Sequence, residues 1–523
     1  MLGGTDELTV PVLARPKICR RCSKVGRAGT SGTARLILRG RAFRFYTSAV
    51  ARNTTVLTPS TQVDTRPGFG QSANLGAKFG FTVLSAYTFL LFSRAVEFID
   101  TTGSLHLMVL IGIPTILLAI MSGRFLLAFR TRIGLYLALM SAWMVLGLPF
   151  SIWRGGSVMA FTSGWAKSII IFLLVGALLD SLAQLRSFVF VIAWATASML
   201  FVVNRHAIES SDARMAVGWG TLGNANDLAT VLLIGLPFCM HVITDKRRLI
   251  ATRIWFLLVA IGVLLTSLKT GSRGALVAII LLTVFAFVKA SPTNRIVIAV
   301  VFFVFIGSLP FVLTPELKAR YMTILASGHA DEAAATARDA NVKSALQSTE
   351  ARRDMLQHAL QLSVKHPIFG VGYNQFPVAD SNRAAAEGQV AYWHEVHNIF
   401  AVILVENGVP AFILFCCAFS SAVRVTARNY KLTRKDPGQK ELARFSLCLL
   451  TAFAAYFICN NFATDAYGFQ FPLLGGIAAA LDMITRRQAP AIVLRPAVSP
   501  LNARMARRRV QNMKPLNAAV PEL

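Results

Sequence analysis

Acidic residues are scarce in this sequence. Only 25 of its 523 residues are Asp or Glu, against 53 Lys and Arg, and charged residues of both signs make up only 15%. Hydrophobic residues make up 54%, and the mean hydropathy is +0.56. A water-soluble domain of this size could not keep so much apolar surface away from solvent. The composition therefore predicts a polytopic membrane protein.

Several enzyme motifs are also missing. The sequence has no D-x-D pair, no Walker lysine motif and no G-x-S-x-G, so nucleotide-sugar transfer, ATP hydrolysis and serine-hydrolase chemistry have no support. No carboxylates recur at metal-ligand spacing. Most of the seven cysteines lie in apolar runs, and Cys19 and Cys22 form a lone C-x-x-C without the second pair that zinc needs. We expect no metal and no cofactor.

The apolar runs themselves contain few ionisable residues. Ion-coupled transporters keep carboxylates or His at mid-membrane depth, because a charge in hydrocarbon is costly and is retained only for a pathway. Here Arg94, Glu97, His106 and His241 all fall near the ends of runs. No internal repeat indicates an inverted-repeat transporter. This distribution disfavours ion-coupled transport and favours chemistry at a membrane surface.

Apolar runs of membrane-spanning length recur from Phe79 onward. A transmembrane helix needs about 17 to 25 residues, and we predict an all-α fold with about twelve such helices. Their approximate cores are 79–97, 105–122, 133–150, 165–180, 187–203, 226–244, 254–269, 274–290, 296–313, 408–427, 445–460 and 469–484. Lys and Arg concentrate in alternate loops, which places both termini in the cytoplasm and the long segment 314–407 outside.

The chain divides into three parts. Residues 1–77 are Arg-rich, which predicts a disordered cytoplasmic tail, although the composition is also typical of an organelle transit peptide. Residues 78–484 form the transmembrane domain, and 485–523 form a second basic cytoplasmic tail. The net charge of +28 is then expected to face anionic membrane lipids, and nucleic acid is not expected as a partner.

The predicted outer segment 314–407 is long enough to be functional. Apolar residues at helical spacing around Met355 predict a short amphipathic helix whose first turn holds Arg352 and Arg353.

His397 begins an apolar, helix-like stretch that Gly408 interrupts. A half-desolvated imidazole at this position suits a general base near neutral pH; the alternative is a His that only anchors a helix. Arg273, Arg352 and Arg214 are guanidinium donors suited to a diphosphate. The alternatives for them are lipid headgroup contacts and loop salt bridges.

Other residues near His397 have supporting roles in this prediction. Glu395 and Glu406 flank it and are placed to orient its ring; otherwise they are solvated or pair with an arginine. Gly370, Gly372 and Gly408 are predicted to be backbone bends that permit close approach.

The order of these motifs resembles the O-antigen ligase and O-antigen polymerase superfamily of bacterial envelope glycosyltransferases. The signature of that superfamily is His, then Asn, Ser or Gln, nine residues, Gly, two residues, and Gly, Thr or Tyr. Here His397 and Asn398 are followed by nine residues and Gly408-Val-Pro-Ala411, so the last position departs from the pattern. Similar segments are Asn224-Ala-Asn-Asp-Leu-Ala229, Ser272-Arg273-Gly274, Arg352 four residues before Leu356, and Pro367-Ile-Phe-Gly-Val-Gly372.

The resemblance implies transfer of a glycan from undecaprenyl diphosphate to an acceptor hydroxyl, at the periplasmic face of the bacterial inner membrane. The acceptor would be lipid A-core in a ligase, or a second lipid-linked glycan in a polymerase of O-antigen or exopolysaccharide. His397 would be the base and Arg273, Arg352 and Arg214 would hold the diphosphate, with inversion and without a metal. A flippase or other transporter of lipid-linked glycans and a non-enzymatic scaffold stay open as alternatives.

Overall fold

The structure is a computed structural model. It describes residues 69–99, 105–209, 214–217, 220, 223–326, 340–388 and 395–493, all of which belong to one compact unit. Most of the predicted N-terminal tail and the end of the C-terminal tail lie outside these residues.

The described residues are almost entirely helical. The α-helices are α1 (Phe69–Ser93), α2 (Val96–Ile99), α3 (Leu107–Met121), α4 (Arg132–Gly147), α5 (Arg154–Ser163), α6 (Trp165–Leu178), α7 (Leu182–Arg205), α8 (Ala225–Ile243), α9 (Ile250–Lys269), α10 (Arg273–Lys289), α11 (Pro292–Val312), α12 (Pro315–Ala326), α13 (Ala340–Lys365), α14 (Phe376–Ala386), α15 (Ile399–Thr433), α16 (Lys440–Cys459) and α17 (Gln470–Val493). Short 3-10 helices are Phe125–Arg130, Leu148–Phe150 and Pro437–Gln439.

Each predicted apolar run coincides with one of these helices. Within the described ranges, 8 helices are long and apolar enough to cross a membrane, and two shorter apolar helices are Lys78–Ser93 and Leu107–Met121. The all-α polytopic membrane fold is thus confirmed, whereas the count of twelve spans stays a prediction. The domain boundaries at 78 and 484 also stay predictions; α1 begins before the first and α17 ends after the second.

Contacts between helix ends define one membrane face. The Ile399 amide at the start of α15 donates to the Asn460 carbonyl at the end of α16, at 3.1 Å. The Thr464 amide, just beyond α16, donates to the Asp227 carboxylate in the first turn of α8, at 3.0 Å. The turn from α9 to α10 also lies on this side. We call it the site face, because His397 and Arg273 lie there, and the other side the opposite face.

Side-chain caps fix where the helices begin at the site face. Asn224 accepts a hydrogen bond from the Asn226 amide before α8, and Ser272 accepts one from the Ala275 amide before α10. Asn398 accepts from the amides of the second and third residues of α15, at 3.0 and 3.1 Å. Each cap satisfies amides that the helix itself leaves without a partner. The residues that precede α10 and α15 are therefore held in defined positions.

Helix α15 is broken near its start. Gly408 has φ 78° and ψ 176°, which is not helical, and Pro410 follows it inside the helix. Proline has no amide hydrogen and its ring clashes with the carbonyl four residues earlier. The predicted interruption at Gly408 is therefore present. It separates a short N-terminal helix, which carries the His397 end, from the long remainder of α15.

Two features of the loops differ from the sequence expectations. Residues Ala207–Glu209 and Met215–Val217 form a small antiparallel β-hairpin, with Ala207 opposite Val217. Helix α13 begins at Ala340, so Arg352 lies in its interior and the prediction that it occupies the first turn is wrong. The residues between Ala340 and Arg352 include two further Ala together with Lys, Leu, Gln and Glu, all good helix formers, and they extend the helix toward the N-terminus.

Candidate functional site

The C-terminal end of α9 positions several side chains of the site through its carbonyl groups. Its last carbonyls have no partner within the helix and form the negative end of the helix dipole. The Tyr321 hydroxyl donates to the Leu268 carbonyl at 2.7 Å. Arg214 Nε donates to the Thr270 carbonyl at 2.9 Å, and Arg320 Nε donates to the Gly271 carbonyl at 3.0 Å. Two arginines from separate segments are thus fixed on one turn.

This turn leads directly into Arg273, the first residue of α10. Gly271 has φ 61°, and a Cβ there would meet Arg214 Cγ at 3.1 Å and Arg320 Cδ at 3.3 Å. The left-handed backbone and the lack of space both call for glycine. The turn brings Arg273 close to Arg320, whose positive charge, after burial, lowers the pKa of Arg273.

A fourth guanidinium comes from α13. Burial, with the repulsion of neighbouring arginines, lowers the pKa of Arg352 to about 10. Those neighbours are Arg273, Arg214 and Arg320. Arg352 Nε is buried and has no hydrogen-bond partner among the described residues. We call Arg214, Arg273, Arg320, Arg352 and His397 the cation cluster.

His397 lies against this cluster at the start of α15. Burial, followed by the positive charges of Arg352 and Arg214, lowers the pKa of His397 to about 4. Its Nδ1 atom is buried and has no hydrogen-bond partner in the part of the chain that the structure describes. The imidazole is therefore neutral at neutral pH, and one of its ring nitrogens keeps a lone pair that can accept a proton.

Asn398 fixes the position of His397. Besides capping α15, its Nδ2 atom donates to Asn461 Oδ1 at 3.3 Å, which ties this residue to the segment after α16. The second residue of the predicted signature thus has a structural task that follows from its type, since Asn both accepts the helix amides and donates to a neighbour.

A second arrangement, the kink clasp, holds the broken part of α15. It consists of the segment 366–376 laid against residues 405–409. The amides of Val371 and Gly372 donate to the carbonyls of Val405 and Glu406 at 2.9 and 3.0 Å, and the Val409 amide donates to the Pro367 carbonyl at 2.8 Å. Backbone groups released by the kink are thereby paired again, as a membrane protein requires.

The side chain of Glu406 belongs to the clasp. It is buried and accepts from the Asn374 amide at 2.9 Å, the Phe376 amide at 3.2 Å and the Tyr467 hydroxyl at 2.7 Å. The sequence interpretation gave Glu406 the task of orienting His397. The structure instead shows both carboxylate oxygens engaged with the segment 366–376 and Tyr467.

The three predicted glycine bends all lie in the clasp. Gly370, Gly372 and Gly408 have φ values of 69°, 112° and 78°. A Cβ on Gly408 would overlap the Ile368 carbonyl, and one on Gly370 would overlap the backbone of Glu406. Close backbone approach is what the sequence predicted for these positions.

The structure thus brings His397, Arg214, Arg273 and Arg352 together. Glu395 lies exposed next to residues outside the described ranges. Arg320, which is 4% exposed, was missed. Within the described ranges, no three His, Cys, Asp or Glu side chains are grouped so that they could hold a metal ion.

Residues 257–416 match the family model described as O-antigen ligase. This match runs from α9 into α15 and includes every member of the cation cluster except Arg214, although it covers less than a third of the chain. No curated protein matches the chain. The matched domain, together with the helical membrane fold and the predicted signature at His397, supports membership of the O-antigen ligase and polymerase superfamily.

Proposed function

We propose that the protein transfers a glycan from undecaprenyl diphosphate to an acceptor hydroxyl at the periplasmic face of the bacterial inner membrane. The acceptor is lipid A-core if the protein acts as a ligase, or a second lipid-linked glycan if it acts as a polymerase of O-antigen or exopolysaccharide. The observation that carries the proposal is the cation cluster.

A diphosphate is the ligand that best fits these charges. Burial, and then the repulsion between the four arginines, disfavours positive charge in the cluster, as the lowered pKa values of Arg352 and His397 indicate. An anion of several charges reverses this repulsion, and guanidinium groups match phosphate oxygens in geometry. The same groups would stabilise the charge that develops on the leaving diphosphate.

His397 is the proposed general base. Its neutral imidazole takes the proton of the acceptor hydroxyl while the acceptor oxygen forms a bond to the anomeric carbon. The bond from that carbon to the diphosphate oxygen breaks, and the electron pair leaves with the diphosphate. Attack from the side opposite the leaving group inverts the anomeric centre.

The test of this role compares His397→Ala with His366→Ala, an exposed His in the neighbouring clasp. General bases contribute about 10²- to 10⁴-fold. We expect H397A to lose transfer of glycan from the lipid carrier by about that factor while its unfolding temperature stays unchanged, and H366A to keep full activity. Normal glycan in cells that carry only H397A would overturn the proposal.

Analysis of the glycans that accumulate in a deletion strain distinguishes a polymerase from a ligase. Single repeats left on the lipid carrier indicate a polymerase, and long chains left on the carrier indicate a ligase. Reconstituted protein that moved lipid-linked glycan across a bilayer, and formed no glycosidic bond, would instead establish a flippase.

A further inference from the structure

A cavity lies between helices at the far end from the cation cluster. Its volume is about 130 Å³, and residues of α8, α9, α10, α11 and α16 line it. Most of the lining is apolar, including Leu236, Leu264, Ile279 and Phe302. Since α8 and α10 begin at the site face, the lining residues late in these helices lie toward the opposite face.

The polar lining residues gather at that opposite end. They are His241, Thr244, Asn294 and Arg444, with Thr283 and Thr451 further in. Arg444 donates from Nη1 to Asp245 Oδ1 and from Nη2 to the His241 carbonyl, both at 3.2 Å. Its side chain is still 32% exposed. A guanidinium is therefore held at the polar end of an apolar cavity, where it remains accessible.

The chain around this end is strongly basic. Its acidic groups are engaged with arginines: Asp245 pairs with Arg444, and Glu441 bridges Arg186 and Arg247. Basic residues nearby in sequence are Lys246, Arg248, Arg253, Lys289 and Arg295. The local charge thus stays positive after these ion pairs are counted.

We propose that this cavity binds one acyl chain of an anionic phospholipid from the leaflet at the opposite face, with the headgroup phosphate at Arg444. Apolar walls suit the chain, and basic pockets between transmembrane helices suit anionic headgroups. A zwitterionic lipid has no net negative charge, so we expect it to bind more weakly at the basic end of the cavity. The net charge of the sequence indicates anionic lipid in general, whereas the cavity assigns it a place.

The test uses the purified full-length protein and native mass spectrometry. Ala286→Trp places an indole in the cavity, because Ala286 lines it. The matched control is Val284→Trp on the same helix, whose side chain is 56% exposed on the outer surface. Phosphatidylglycerol and phosphatidylcholine with identical acyl chains are the probes.

We expect the unchanged protein and V284W to retain one phosphatidylglycerol in preference to phosphatidylcholine, and A286W to retain at least tenfold less. Equal retention by A286W and V284W would overturn the proposal. Equal retention of the two lipids would also overturn it, as would displacement of phosphatidylglycerol by polyprenyl phosphate, which would make the carrier lipid the occupant.

A second pair of variants does not depend on how A286W folds. Lys289→Gln removes an exposed charge beside the cavity residue Ala290, and Lys431→Gln removes an exposed charge near the end of α15. We expect K289Q to reduce the preference for phosphatidylglycerol at least threefold and K431Q to leave it unchanged. An equal preference in both variants would show that the headgroup does not lie here.

Discussion

The cation cluster and the kink clasp lie at the same end of α15 but differ in whether their buried polar groups have hydrogen-bond partners. In the clasp, the carbonyls released by the kink and both oxygens of Glu406 are hydrogen-bonded. In the cluster, His397 Nδ1 and Arg352 Nε are buried without a partner among the described residues. A buried polar group without a partner costs about 1–3 kcal/mol. The clasp therefore adds to the free energy of unfolding. The unpartnered groups of the cluster lower that free energy, at a place where an anion can bind.

The largest expected effect separates Arg352 from its neighbour Arg353. Loss of one positioned donor costs about 10²- to 10³-fold in rate, so we expect Arg352→Gln to reduce glycan transfer by about that factor. Arg353 is exposed, and Arg353→Gln serves as the control with near-normal transfer. Transfer is measured from a defined polyprenyl-diphosphate donor.

The stability of R352Q provides a second readout. Since burial and repulsion disfavour the charged form of Arg352, its removal should leave the unfolding temperature unchanged or raise it. A marked fall in unfolding temperature would show that Arg352 stabilises the fold, as the clasp residues do, and would contradict the difference between cluster and clasp.

Gly408→Ala should show the reverse pattern. A side chain at φ 78° and ψ 176°, a backbone conformation almost restricted to glycine, costs about 1–3 kcal/mol, and its Cβ would also overlap the Ile368 carbonyl. We expect a loss of at least about 2 kcal/mol in the free energy of unfolding, measured by thermal or denaturant unfolding in detergent. Gly307→Ala in α11 is the control: a Cβ there meets nothing within 4 Å, and helix propensity favours Ala.

Glu406→Gln tests whether this carboxylate belongs to the clasp alone. The amide group of Gln cannot accept hydrogen bonds on both sides as the carboxylate does, so one backbone amide loses its partner. We expect a loss of about 1–3 kcal/mol of stability and near-normal transfer for each folded molecule. Lost transfer at an unchanged unfolding temperature would instead assign Glu406 to the chemistry.

The smallest expected effect is a shift in pH dependence. His397 has a pKa of about 4, below its ordinary 6.5, so the free enzyme keeps a neutral base down to about pH 4. The acid limb of the pH profile, where kcat/KM falls as the pH drops, should have its midpoint near this value. Arg214→Gln removes one of the two charges that oppose protonation, so the limb should move to higher pH. An acid limb at 6.5 in the unchanged protein would contradict the burial of the base.

The lowered pKa of His397 also makes the stability of the protein depend on pH. Between about pH 6.5 and pH 4 the unfolded state binds a proton on His397 that the folded state does not, so this residue makes the protein less stable as the pH falls through that range. His397→Ala should flatten this part of the stability profile.

The sequence predicted the parts of the site that depend on local pattern. Apolar runs predicted the helices, and the spacing from His397 to Gly408 predicted where α15 begins and where it bends. Arg320 could not be found in this way, because a Leu-Lys-Ala-Arg-Tyr stretch resembles any solvated helix. Its burial arises only when α12 packs on the turn after α9. The task of Glu406 was missed for the same reason, because its partners lie in distant segments.

The end of α9 has a further consequence for turnover. A transferase of this kind must release its carrier diphosphate after each reaction, and a site made only of unopposed cations would retain that product. Arg214 and Arg320 each place Nε on a carbonyl at the negative end of α9. Under the proposed function, the helix offsets part of the positive charge throughout the cycle, and we expect this to weaken binding of the spent carrier and to shorten its residence time.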